Sequence, residues 1–296
     1  MIDDIAIQQS FQKPSSHGTL YLVGTPIGNL EDMTYRAIRI LRESTWIAAE
    51  DTRHTRKLLS HYEITGKLIA YHEHNKSING PKLLDKLRTG DNIALVTDAG
   101  LPGISDPGTE LVQAAIQAGL PVVPVPGPNA ALTALIASGL SSTTFAFIGF
   151  LPREKKKSSM VLNKWQYQNS TLIIYESPHR ILNTLRLIYE LWGSRQVVLA
   201  RELTKRYEEF VRGEIVNCIE YIEANPPLGE YCLLVAGVDR PVIEQTDTWW
   251  QELTIAEHLA TYEQNDGLTR QAALKKIAVD RNIPRRELYA LLHRKV

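Results

Sequence analysis

Three loops rich in glycine and proline are the segments of this chain best suited to hold a ligand. They cover residues 24–29 (GTPIGN), 98–108 (DAGLPGISDPG) and 126–131 (PGPNAA), and each follows a short apolar run. Glycine lets a ligand approach backbone amides closely, and proline fixes the path of the chain. None of the loops has the GxGxxG spacing of a dinucleotide site or the lysine of a triphosphate-binding loop. For the first loop, a plain glycine-closed turn is an equally good interpretation.

Two further segments combine carboxylates with arginine. Residues 50–54 (EDTRH) and 176–180 (ESPHR) each lie where a strand is expected to end and a helix to begin. A carboxylate at such a corner can orient a hydroxyl group or accept its proton, and arginine binds phosphate. The competing structural interpretation is that Asp51 caps a helix and that Glu176 and Arg180 serve capping and ion pairing.

The histidines and cysteines do not form a metal-binding pattern. His72 and His74 would share one face of a strand, but two histidines do not complete a site and no third ligand stands beside them. Cys218 and Cys232 belong to no CxxC array. We therefore expect no metal, two free buried thiols and a cytoplasmic protein.

The pattern of apolar runs indicates that these segments are positioned by an α/β fold. Strands are expected at residues 19–23, 44–49, 92–97 and 121–125, and helices at residues 34–42, 53–61, 111–118 and 129–138. This alternation is typical of a mainly parallel sheet covered by helices. Because the loops leave the carboxyl ends of parallel strands, we expect them to converge on one crevice.

A second α/β unit is expected after Pro152. Its strands are predicted at residues 171–175, 196–200 and 231–236, with a helix at 180–191 and a charged segment at 201–212. The basic run at residues 153–157 (REKKK) is interpreted as an exposed, mobile connection. The expected organisation is a polar leader (1–17), two α/β domains (18–140 and 141–240), a linker (241–252) and a C-terminal helical domain (253–296).

Charge is distributed unevenly along a chain that is neutral overall. The 33 Lys and Arg balance 33 Asp and Glu, which argues against indiscriminate binding to nucleic acid or membranes. No charged residue occurs between Glu110 and Arg153, but four prolines interrupt this stretch, so we do not expect a membrane span. Residues 268–296 carry a net charge of +6 on a predicted helix-turn-helix-like pair, which favours contact with phosphates.

Nine segments of the chain resemble a known enzyme family in their order and spacing. They are GTPIGN, AAEDTRHTRKLL, YHEHN, VTDAGLPGISDPG, VPGPNA, FIGFLP, YESPHR, RELTKRYEE and GEYCLLVAG. Together they are similar to the cytidine-2'-O-methyltransferases of the small ribosomal subunit. That family belongs to the tetrapyrrole-methylase-like class of enzymes that use S-adenosylmethionine (SAM). The resemblance covers about residues 18–238, and the tail resembles the helix-turn-helix extension of the family.

The resemblance implies two α/β domains with SAM bound in the cleft between them, and usually a homodimer. It also implies methyl transfer to the ribose 2'-hydroxyl of a cytidine in the decoding region of 16S rRNA, within the small ribosomal subunit. SAM carries no phosphate, so loops without a phosphate-binding lysine are consistent with it.

The resemblance, taken with the two corners, also yields candidate site residues. The cofactor set is Gly24, Thr25, Pro26, Asp98, Ala99, Gly100, Pro102, Gly103, Ser105, Pro126, Gly127, Pro128, Asn129, Ala130, Cys232 and Leu233. The candidate catalytic residues are Glu50, Asp51, Glu176 and Arg180. The candidate RNA contacts are Arg53, Lys155, Lys156, Lys157, Arg201, Lys205, Arg270, Lys275, Arg285 and Arg286. For several of these cations, a solvated charged surface is a comparable interpretation.

Two other functions stay open at this point. A methylase of a small acidic tetrapyrrole would account for basic residues in the cleft, but it would not account for the basic tail. A non-catalytic SAM sensor that binds nucleic acid would account for the tail, but it would give no function to the carboxylates and arginines at residues 50–54 and 176–180.

Overall fold

The computed structural model describes residues 8, 16–238, 250, 253–264, 267–281, 283–284 and 287–288. The chain forms two compact units, Met1–Gly237 and Val238–Val296. The larger unit contains two five-stranded sheets. None of the helices within the described residues is long and apolar enough to cross a membrane.

The first sheet is parallel throughout, which confirms the prediction. Its strands are β1 (Leu20–Val23), β2 (Trp46–Ala49), β3 (Lys67–Ala70), β4 (Ile93–Val96) and β5 (Val122–Val125), in the order β3-β2-β4-β1-β5. In the central part of the sheet, Leu20 lies opposite both Ile93 and Val122. All four residues of β4 are buried, because helices cover both faces of the sheet.

Five helices connect or follow these strands. They are α1 (Tyr35–Glu43), α2 (Thr52–His61), α3 (Lys76–Arg88), α4 (Thr109–Gln117) and α5 (Ala130–Ser138). Asn129 caps α5 as expected, since its side chain accepts a hydrogen bond of 3.0 Å from the Leu132 amide. The sequence did not predict α3, because Gly80 and Pro81 lower its helix propensity. Burial of Leu83 and Leu87 stabilises this helix nevertheless.

The second sheet is mixed. Its strands are β6 (Phe145–Phe150), β7 (Thr171–Glu176), β8 (Gln196–Arg201), β9 (Glu209–Glu214) and β10 (Tyr231–Val235), in the order β6-β7-β10-β8-β9. Only the β6 and β7 pair is parallel. The helices of this part are α6 (Lys155–Asn163), α7 (Ile181–Trp192) and α8 (Ile215–Ala224). The charged segment between β8 and β10 thus contains the edge strand β9.

The prediction of a mobile basic loop at residues 155–157 was wrong, since these lysines form the first turn of α6. Lys157 pairs with Glu154 at 2.9 Å, and Lys155 pairs with Glu190 at 2.8 Å. Leu162, in the last turn of the helix, is fully buried. Its burial in the core and these carboxylates together stabilise a helix where the charge run alone suggested a loop.

The smaller unit contains α9 (Ile255–Gln264) and α10 (Arg270–Asp280). Thr269 caps α10 as predicted, and Leu259, Leu274 and Ile277 form part of a small core. The second helix of the predicted pair lies mostly outside the described residues, as do Arg285 and Arg286 and most of the expected linker.

Candidate active site

A cavity of about 430 Å³ lies between the two sheets of the larger unit. The loops that follow β1, β4 and β5 contribute Ile27, Ala99, Gly100, Leu101, Ile104, Ser105, Asp106, Asn129 and Ala130. The second sheet and its loops contribute Phe150, Tyr175, Glu176, Ser177, Pro178, Ala200, Leu203, Lys205, Glu230, Tyr231 and Cys232. All three glycine-rich loops therefore reach one cavity, as the strand order predicts.

Close backbone packing holds these loops together. Thr25 and Gly100 exchange backbone hydrogen bonds of 2.9 and 3.1 Å, and the Thr25 hydroxyl donates to the Thr97 carbonyl at 3.1 Å. A Cβ atom on Gly24 would lie only 2.9 Å from the Cα of Gly127. Glycine is required at both positions because two backbones pass each other without room for a side chain.

The structure divides the predicted cofactor set into two groups. Six of its residues line the cavity: Ala99, Gly100, Ser105, Asn129, Ala130 and Cys232. The others are not part of the lining: Gly24, Thr25, Pro26, Asp98, Pro102, Gly103, Pro126, Gly127, Pro128 and Leu233. Leu233 lies on the opposite face of β10 from Cys232 and packs in the core below the sheet, because side chains alternate along a strand. Cofactor contact by the lining residues stays a prediction.

Asp106 is a carboxylate of the cavity lining that is absent from the predicted site residues. Burial raises the pKa of its carboxyl to about 7, and repulsion from Glu50 and Asp98 adds to the effect. The preceding Ser105 has a φ of 63°, an uncommon backbone conformation for a residue other than glycine. The sequence signal was present in the ISDPG part of the second loop, but the burial of this carboxylate depends on the fold.

At the corner formed by residues 50–54, the pKa values of the two carboxylates are shifted in opposite directions. Asp51 accepts a hydrogen bond of 2.8 Å from the Arg53 amide and pairs with the Arg53 guanidinium, which holds the pKa of Asp51 well below its usual range. Burial, with repulsion from Asp98, raises the pKa of Glu50. Asp51 is thus the helix cap of the structural interpretation, and neither carboxylate is part of the cavity lining.

The second corner is an internal hydrogen-bond network. The Glu176 carboxylate is buried and accepts hydrogen bonds from the Thr184 hydroxyl at 2.8 Å and the Ser177 amide at 2.9 Å. It also pairs with Arg180 at 3.2 Å, and Arg180 donates to the Leu151 carbonyl at 2.8 Å. The predicted residues do meet, but their polar atoms are largely used in joining β6, β7 and α7. This geometry favours ion pairing over contact with a substrate hydroxyl.

The remaining basic candidates differ in how available they are. Lys205 lines the cavity, where its ammonium group pairs with Glu202 at 2.9 Å and Glu230 at 2.7 Å. Arg201 is mostly buried and faces Glu209 at 3.7 Å. These two contacts do not support the expectation that Lys205 and Arg201 bind RNA. Lys156 is exposed, and so are Arg270 and Lys275 in the smaller unit.

The cavity offers no positive charge free of a carboxylate partner among the described residues. Burial raises the pKa of both Tyr175 and Cys232 to about 12, so both are neutral. The Tyr175 hydroxyl accepts a hydrogen bond of 3.1 Å from the Ala131 amide at the start of α5. No group of three or more potential metal ligands occurs within the part of the chain that the structure describes.

Comparison with known proteins places the chain in a family. The family model for tetrapyrrole (corrin/porphyrin) methylases matches residues 19–217, which contain the strands β1 to β9. The chain belongs to this family. The α/β architecture inferred from the nine motifs is thereby confirmed.

The similarity to individual members extends over almost the full chain. A protein of Halalkalibacterium halodurans named ribosomal RNA small subunit methyltransferase I is 50% identical over 97% of this chain and 98% of its own length. A Bacillus subtilis protein of the same name is also 50% identical, with the same coverage. One from Synechocystis is 46% identical over 93% of this chain and 97% of its own length.

Solved structures share the fold at lower identity. The uroporphyrin-III-C-methyltransferase of Thermus thermophilus aligns with a TM-score of 0.53 and 23% identity, over 74% of this chain and 94% of that one. A diphthine synthase aligns with a TM-score of 0.58 and 13% identity, over 74% and 90% of the two chains. Enzymes with different names share this fold, so the fold alone does not specify the methyl acceptor.

Proposed function

We propose that this protein transfers the methyl group of SAM to the ribose 2'-hydroxyl of a cytidine in 16S rRNA, within the small ribosomal subunit. The observation that carries the proposal is the identity of 44–50% over nearly the whole chain to proteins named ribosomal RNA small subunit methyltransferase I. A tetrapyrrole methylase would share the fold, but a likeness of this extent to rRNA enzymes favours the ribosomal substrate.

The cavity suits SAM in size and charge. Its volume of about 430 Å³ lies within the range of small-molecule sites, and its lining is mostly apolar with Asp106, Glu176 and Glu230 as acidic members. Burial, with repulsion from Glu50 and Asp98, raises the pKa of Asp106, and a nearby positive charge would favour its ionised form. A ligand with a positive charge and no phosphate complements this environment, whereas a nucleoside triphosphate would be repelled.

SAM supplies an electrophilic methyl group whose leaving group is a neutral thioether, so the protein need not provide a general acid. In our proposal Ser105, Ala99 and the start of α5 hold the cofactor. Asp106 balances its positive charge. Positioning the acceptor hydroxyl at the cavity is then the main task of the protein.

We assign acceptance of the hydroxyl proton to Glu50 rather than to Asp51. Burial raises the pKa of Glu50, which improves it as a base near neutral pH, whereas Arg53 lowers the pKa of Asp51. Glu176 is committed to its own hydrogen-bond network and takes a structural role.

The basic tail supports an RNA substrate. It carries a net charge of +6 over residues 268–296, and Arg270 and Lys275 are exposed on α10. We also propose that the reaction takes place in the cytoplasm, where this substrate is expected. We further propose that the protein works as a homodimer. Light scattering of the purified protein would test the oligomeric state.

The deciding experiment offers the protein two acceptors in parallel. Methyl-labelled SAM is incubated with small ribosomal subunits that lack the modification or with uroporphyrinogen, and the label is located. We expect label on a cytidine ribose of 16S rRNA. Transfer to the tetrapyrrole alone, or to no acceptor, would refute the proposal.

Shortening the chain to residues 1–238 tests the role of the tail. Because residues 1–237 form a compact unit, the shortened protein should bind SAM like the full chain. Methylation of the small subunit should fall by about tenfold or more, since the phosphate contacts of the tail are lost. Unchanged methylation would exclude a role of the tail in RNA binding.

A further inference from the structure

One exposed face of α2 is basic along its whole length. Arg53, Arg56, Lys57, Ser60 and His61 line a shallow depression of about 560 Å³ on this helix, here called the α2 basic face. No role follows for Arg56, Lys57 or His61 from the cofactor cavity or from the two corners. A basic surface of this size without an assigned role is a candidate binding site for an anionic ligand.

The helical repeat explains why these side chains are exposed, but it does not explain why they are basic. Thr55 and Leu59 are buried, and Arg56 and Lys57 between them are exposed. Residues 52–62 contain no Asp or Glu, and neither Arg56 nor Lys57 forms an ion pair within the described part of the chain. A solvated helix surface usually mixes charges of both signs.

Several cations on other helices of the same unit are paired with carboxylates. Arg39 of α1 pairs with Glu43 at 2.7 Å, and Arg186 of α7 pairs with Glu223 at 2.6 Å. Lys155 of α6 pairs with Glu190 at 2.8 Å. The α2 basic face therefore has two cations available to an external anion.

The face begins at the edge of the cofactor cavity. The Asp51 amide, directly before α2, donates a hydrogen bond of 3.2 Å to the Asp98 carboxylate, and the next residue, Ala99, lines the cavity. From Arg53 to His61 the helix advances by roughly 12 Å. The basic surface thus leads from the cavity outward over a length that allows contact with about two phosphates of a nucleic acid strand.

We propose that the α2 basic face binds the phosphate backbone of the RNA strand next to the nucleotide that is methylated. This inference rests on the proposed function and specifies where that substrate lies. The cavity edge carries Glu50, Asp98 and Asp106, which repel phosphate, whereas α2 attracts it. The charges thereby keep the backbone on the helix and leave the uncharged ribose to face the carboxylates. Phosphate contacts of this kind position a strand without recognising its sequence.

The test is the double charge reversal Arg56→Glu/Lys57→Glu, assayed with unmodified small subunits over a range of salt concentrations. We expect KM for the subunit to rise about tenfold or more, and the slope of log KM against log salt to fall by about 1.5, because two phosphate contacts are lost. The kcat at saturating subunit and the Kd for SAM should stay within about twofold.

A matched control reverses two other exposed lysines of the same unit, Lys82→Glu/Lys164→Glu. Neither lysine forms an ion pair within the described residues, and neither lines the α2 basic face. The control should leave KM and the salt slope unchanged. Equal effects in both double variants would show a general charge effect and would overturn the proposal, as would an unchanged KM in Arg56→Glu/Lys57→Glu.

Direct binding separates this inference from the function on which it rests. Equilibrium binding of each variant to small subunits is measured without SAM. If the natural protein transfers no methyl group, the proposed function fails. Loss of binding in Arg56→Glu/Lys57→Glu alone would still support RNA binding by α2. If the natural protein methylates rRNA and both double variants bind like it, only the inference fails.

Discussion

Replacing Asp106 by Asn tests the electrostatics of the cavity most directly. Burial and two neighbouring carboxylates raise the pKa of Asp106 from 3.8 to about 7, which corresponds to about 4 kcal/mol opposing ionisation. A carboxyl with a raised pKa lowers the stability of the folded protein as pH rises from about 4 to 7, because the native state holds its proton longer. Asparagine removes the charge and keeps the shape. Because the carboxyl is only half-buried and solvent screens part of the repulsion, we expect the ligand-free variant to gain clearly less than this, about 1–2 kcal/mol, at pH 8 and almost nothing below about pH 4.

SAM affinity should change in the opposite direction. A cationic ligand favours the ionised form of Asp106, so binding to the natural protein releases one proton as long as that residue is protonated. With a pKa of about 7 in the free protein, affinity should rise about 25-fold between pH 5.5 and 7.5 and level off above that range. The variant should bind about 10- to 100-fold more weakly at pH 7.5 and show a flat pH profile. Titration calorimetry measures both affinity and proton release.

The matched control is Asp85→Asn, which removes an exposed carboxylate on α3. It should alter neither SAM affinity nor its pH profile. The reasoning would be refuted by an affinity of the natural protein that does not depend on pH. A variant at Asp106 that binds SAM normally, or that is less stable than the natural protein at pH 8 without ligand, would refute it equally.

Two further substitutions test how the cavity is held together. Gly24→Ala places a Cβ atom 2.9 Å from the backbone of the third loop, so we expect a loss of about 1–3 kcal/mol in urea unfolding and weaker SAM binding. Gly213→Ala, in open space on β9, should cost little, and equal losses would contradict the packing argument. Glu176→Gln removes the buried countercharge of Arg180 and should lower the free energy of unfolding by about 3 kcal/mol. The exposed pair gives the comparison: Glu190→Gln should cost less than about 1 kcal/mol, and a similar loss in both would oppose our assignment.

Local sequence patterns predicted most of the first sheet because its elements depend on neighbouring residues. The run at residues 93–96 is apolar throughout, as a strand covered on both faces must be, and Asn129 caps the helix that follows it in the third loop. Helix α3 was missed because its stability comes from Leu83 and Leu87 packing against the sheet, which no local propensity records.

The direction of individual side chains in the cavity could not be predicted from the sequence either. The glycine-rich loops identified its position, yet Ile27 lines it while the neighbouring Thr25 is buried behind it. Cys232 faces the cavity and Leu233 faces the core, a difference set by the register of β10. A loop can be located from composition, but the direction of each side chain depends on what packs against it.

The sequence by itself determined the alternation of strands and helices, the three glycine-rich loops and, through its motifs, the family. Periodicity, turn chemistry and motif order are properties of adjacent residues, and they are visible in the chain alone. Only the tertiary structure decided which charges are free. Lys205 is paired because Glu230, 25 residues away, lies beside it, and the pKa of Asp106 is raised because the fold buries it near Glu50. Charge state and availability depend on distances and burial, which the order of residues does not record.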